Sequence, residues 1–109
     1  MSSSFDALSW SERIAFWQDI EHKIDAALRQ CEGRLAAEVV KEVSDYLEHN
    51  ELGLAWETLA GELLALGAVL PESARQLMLE AGTRMGFQQA EGHAHALWRD
   101  MQALLSHGG

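Results

Sequence analysis

Apolar residues recur at steps of three, four and seven along most of this chain, and nowhere do they alternate over the two-residue period of a strand. The first such run is announced by "SWSE", in which Ser9 can cap free helix amides while Glu12 reaches back to complete a capping box. A helix is therefore predicted from Trp10. Its stripe is Trp10, Ile14, Trp17, Ile24, Leu28 and Cys31, widened by Phe16 and Ile20, and it should end near Gly33. A second helix lies in "RLAAEVVKEVSDYLEHN", with Leu35, Val39, Val43, Tyr46 and Leu47 on its apolar face. Asn50 is placed to end it and to cap the next helix, making "EHNELG" a tight joint.

The third helix, "ELGLAWETLAGELLAL", presents Leu52, Trp56, Leu59, Leu63 and Leu66, and Gly67 stands where a left-handed residue would stop it. Gly53 and Gly61 weaken it by about 1 kcal/mol each, a cost that close helix packing would explain. Pro71 suits the first turn of a fourth helix, which buries Ala74, Leu77, Met78, Ala81 and Met85. Gly86 followed by Phe87 reads as a Schellman ending. The fifth helix is expected from Gln88 to Ser106, using Ala90, Ala94, Leu97, Trp98, Met101, Leu104 and Leu105. Short joints should fold these segments into an all-α, compact bundle of about five helices with a central antiparallel helical hairpin.

The length of 109 residues fits one domain, 1–109, with frayed ends at 1–8 and 107–109. Seventeen acids against eight bases give a net charge of −9, which disfavours nucleic acid and anionic membrane and favours a basic partner. The single Cys31 forms no internal disulfide, and no basic leader or apolar run of roughly 20 residues appears, so a reduced, cytoplasmic setting is expected. Four tryptophans are many for so small a core, and the aromatic first helix offers a face for a homodimer.

Candidate chemistry is sparse. His93 and His95 lie two apart and diverge around a helix, while the four-residue pairs Glu91 with His95 and Asp45 with His49 each supply only two ligands. Cys31 sits on an apolar stripe, as a packed thiol does. The glycines match no phosphate loop, and the bases at 13, 23, 29, 34, 41, 75, 84 and 99 are scattered. No catalytic, metal or cofactor residues are assigned, and the chain is expected not to be an enzyme.

Protein binding is the reading that remains. From Glu38 to Glu62 there are seven acids and one base, Lys41, which is −6 of the −9. Folding back at Asn50 brings Asp45, Glu48 and Glu51 to one end of the hairpin, where mutual repulsion gives a folded monomer no benefit. Asp45, Glu48, Glu51 and Glu57 are the candidate contacts with a basic surface. Trp56 is either core, as its period suggests, or an aromatic anchor among them.

The run "YLEHNELGLAWETLAGELLALGAVLPESARQLMLEAGTRMG" resembles the MafI-type immunity proteins of bacterial polymorphic toxin and contact-dependent inhibition systems. Their pattern is a helix ending in an "EHGE" or "DHNE" turn, then "xGLAxExLxxxL", a short loop with a proline or polar start, and a helix closing in "MG". The matching residues are Glu48, His49, Asn50, Glu51, Gly53, Leu54, Ala55, Glu57, Leu59, Leu63, Met85 and Gly86, within residues 35 to 87. The first and fifth helices extend beyond that core, and Ala68 and Val69 replace a more polar loop. The resemblance implies a helical cytoplasmic inhibitor that binds a cognate toxin domain, often a nuclease, and occludes it stoichiometrically. The alternative is a helical adaptor or homodimeric regulatory subunit using Trp10, Trp17 and Trp98.

Overall fold

A computed structural model describes residues 9–67, 70–89 and 91–108, with side chains described as far as 104. Five α-helices follow in order: α1 Trp10–Cys31, α2 Ala37–Glu48, α3 Leu52–Leu66, α4 Glu72–Arg84 and α5 His93–Gly108, with one 3-10 turn at Glu32–Arg34 after α1. No strand occurs among the described residues. No helix is long and apolar enough to cross a membrane among those residues.

The ends of the helices follow from a few polar contacts. Glu12 N–H donates to Ser9 Oγ at 3.2 Å and Ser9 N–H to Glu12 Oε1 at 2.9 Å, so the capping box forms as expected. Asn50 ends α2 as expected but does not cap α3 with its side chain. It takes a left-handed conformation, φ 58°, and its N–H and that of Glu51 donate to Leu47 O and Tyr46 O, a Schellman ending that needs no side-chain cap on α3. Gly86 and Phe87 end α4 in the same way, donating to Thr83 O and Gly82 O, and Gly67 ends α3 with φ 66°.

Two boundaries move. α5 begins at His93 rather than Gln88, because the chain turns from Met85 to Gln89 and Gly92 takes φ 98° before the helix can start. It continues to Gly108, past the expected stop at Ser106. Pro71 stands one place before α4, where its carbonyl accepts from Ala74 and Arg75. Residues 1–8, Ala68, Val69, Ala90, the Leu105 side chain and Gly109, for several of which the sequence carries expectations, lie outside the described residues.

α3 occupies the middle of the bundle, contacting every other α-helix, and buries Leu52, Trp56, Leu59 and Leu63. α1 packs chiefly on α4, in antiparallel sense: Gln30 meets Ser73, Lys23 meets Glu80, and Asp19 meets Arg84. Because α4 ends at Arg84, opposite Asp19, the first part of α1 runs on past its partner. None of residues 10–19 is buried, whereas Ile20, Ile24, Ala27, Leu28 and Cys31 are.

The expected role for Gly53 and Gly61 does not hold, since a Cβ at either would meet nothing within 4 Å. The close approach occurs at Gly82. A Cβ there would lie 2.8 Å from Trp98 Cδ1 and 2.9 Å from Trp56 Cζ2.

Candidate functional site

Three of the four acids singled out in sequence, Asp45, Glu48 and Glu51, meet at the α2–α3 joint, and His49 reports their proximity. Its Nδ1–H donates to the Asp45 carbonyl at 2.7 Å, and Glu51, Glu48 and Asp45 add their negative charge. The backbone hydrogen bond foremost, and then these carboxylates, hold the imidazole above the usual histidine pKa. The same end raises the Tyr46 phenol, mainly through Glu42, whose carboxylate accepts from the hydroxyl at 3.3 Å, with a smaller contribution from Glu51.

The four candidate acids are not equivalent. Asp45 is matched by Lys41, whose Nζ lies 2.9 Å from Oδ2 one helical turn back, and that contact lifts the lysine above its ordinary pKa. Glu48 and Glu51 are exposed and make no ion pair among the described residues. Glu57 is half-buried one turn and a half further into α3 and is likewise without an ion pair there.

Glu51 and Glu57 share the wall of a groove of about 850 Å³ with Leu54. Phe16 and Trp17 of α1 form the facing wall, and Met85 and Phe87, just past α4, also line it. Arg84 lies on the α1 side, paired with Asp19 and placed 5.3 Å over the centre of the Phe16 ring. Beyond the groove the apolar stripe continues along the α1 overhang. Trp10 is 75% exposed, Leu54 48%, Ile14 40% and Trp17 38%, values that mark a surface rather than a core.

Trp56 is corrected here from contact residue to core residue. It is wholly buried, its Nε1–H donates to Met78 O at 2.7 Å, and its ring packs on Phe87 with centroids 4.9 Å apart. A partner cannot reach it without opening the bundle. Trp98, placed on the surface by the adaptor reading, is half-buried with Nε1–H directed at Leu79 O at 3.4 Å. Leu54 escapes a reading of the sequence by stripes because it falls off the α3 stripe. That same displacement is the available signal, since a leucine off the buried face of a helix must meet solvent or a partner.

Cys31 is buried, and desolvation pushes its thiol above the ordinary pKa, with nearby Arg34 opposing; this is a packed thiol rather than an activated one. His95 spends Nδ1 on the Phe87 carbonyl at 2.8 Å, tying α5 to the turn after α4. No group of three or more His, Cys, Asp or Glu able to hold a metal gathers among the described residues.

Comparison with protein-family models, with curated proteins and with solved structures found no match. The likeness to MafI-type immunity proteins rests on the sequence motif alone.

Proposed function

We propose that this chain is an immunity protein that binds a cognate bacterial toxin domain in the cytoplasm and neutralises it by stoichiometric occlusion, the toxin surface being basic as in a nuclease. The observation that carries the reading is the exposed α2–α3 joint, where Glu48 and Glu51 crowd around His49 without ion pairs among the described residues. Like charges gathered in this way oppose folding and favour encounter with a basic surface. They also compete with the phosphate groups that such a surface binds.

Co-purification with the product of the neighbouring gene, followed by rescue of its toxicity, tests the assignment directly. Asp45→Lys, Glu48→Lys and Glu51→Lys together should slow association with the toxin about tenfold or more at low salt and much less at high salt. An unchanged rate at both salts removes the joint from the docking surface.

The competing reading, a helical adaptor or homodimeric subunit, is favoured by the exposed Trp10 and Ile14 on the α1 overhang. It expects self-association in sedimentation and a locus with no toxin gene beside it.

A further inference from the structure

We infer that the groove between the α1 overhang and the start of α3 seats one amphipathic helix of a partner protein, apolar face inward, with Lys or Arg along the edge that meets Glu51 and Glu57. That this helix belongs to a toxin rests on the function proposed above; the groove's preference for a basic amphipathic helix does not.

Shape comes first. Trp17 lines the groove, and Ile14 and Trp10 prolong its apolar wall beyond it at i, i+4, i+7 spacing, a stripe of about 10 Å along the helix axis. Leu54 faces solvent from the other wall, and Met85 and Phe87 add apolar surface between. Groove and stripe together offer about two turns of a helix a set of anchors at helical spacing. A peptide that adds as a β-strand would need a strand edge to pair with, and the described residues contain no strand.

Charge then selects among helices. The α3 wall carries Glu51 and Glu57 without ion pairs among the described residues, whereas Arg84 on the opposite side is already engaged by Asp19 and the Phe16 ring. The trough is thus acidic along one edge. A second copy of this chain carries the same net charge of −9 and would be repelled, so a basic partner fits better than self-association.

The probe is a fluorescein-labelled helical peptide of about 18 residues, with leucines along one face and lysines along one flank. Its control carries glutamates in place of the lysines. Anisotropy should show the lysine peptide binding in the micromolar range and the glutamate peptide at least tenfold more weakly. Leu54→Asp should weaken the lysine peptide at least tenfold, and Glu51→Gln with Glu57→Gln should weaken it several-fold and flatten its salt dependence. Ile14→Asp serves in place of Leu54→Asp should the latter lose its helical circular dichroism.

Equal binding of both peptides, or binding indifferent to the apolar substitution, overturns the inference. So does self-association abolished by Leu54→Asp, which would make a second copy the occupant. Binding that emerges only after residues 1–8 are removed overturns it too, by making that segment the occupant. Peptide binding without toxicity rescue keeps the groove and discards the toxin. Full rescue by a Leu54→Asp protein that no longer binds peptide keeps the toxin but places its contact away from the groove.

Discussion

Gly82 lies where two indoles leave no room for a side chain, although as a helix-interior glycine it weakens α4. Gly82→Ala gains about 1 kcal/mol of helix propensity but drives a methyl group into Trp56, which is wholly buried and hydrogen-bonded. Overpacking of this kind costs roughly 1–3 kcal/mol, so the variant should be less stable by up to about 2 kcal/mol in urea unfolding. Gly61→Ala meets open space and should be more stable by up to about 1 kcal/mol. In the sequence every helical glycine carries the same penalty; only the fold says which one has indoles against it.

His49 carries a second residue-scale prediction. Its folded pKa is raised, so the favourable interactions of its charged form contribute fully below the unfolded pKa and fade as pH rises through the folded one. An NMR titration should place it above an unperturbed histidine. Glu48→Gln with Glu51→Gln should lower that value without abolishing the rise, because the hydrogen bond to Asp45 remains. A midpoint unmoved by those changes would mean that the acids do not act on the ring.

At the scale of elements, the capping box at Ser9, the Schellman ending at Gly86 and the stop at Gly67 are legible in sequence, because each depends on contacts within a few residues. Asn50 is legible as a joint but not in its manner. Its positive φ, rather than its side chain, turns α2 into α3. Asn50→Ala should therefore cost about 1 kcal/mol, and Asn50→Gly should be neutral or slightly stabilising, as read from thermal unfolding. Equal stability of the two variants would return the role to the Asn side chain. The start of α5 is not legible, because the apolar period continues through residues that turn instead, with Gly92 left-handed before His93.

Across the whole molecule, the difference in length and register between α1 and α4 has the largest consequence. α4 stops opposite Asp19, so the aromatic half of α1 extends beyond the core and faces the α2–α3 joint across a groove. Since Leu54 and Ile14 are only half covered, Leu54→Asp and Ile14→Asp should cost no more than about 1.5 kcal/mol in chemical denaturation. A loss of several kcal/mol would show that the stripe is buried in solution.

The sequence by itself determined the five-helix pattern, most of the helix endings, and the gathering of acids at "EHNE", since each follows from spacing within one segment or across one short joint. Which tryptophans are wet, which glycine is crowded and which leucine borders the groove were decided by tertiary structure. The physical reason is that a helical stripe states only that a face is apolar. Whether that face is covered depends on where a helix distant in sequence comes to an end.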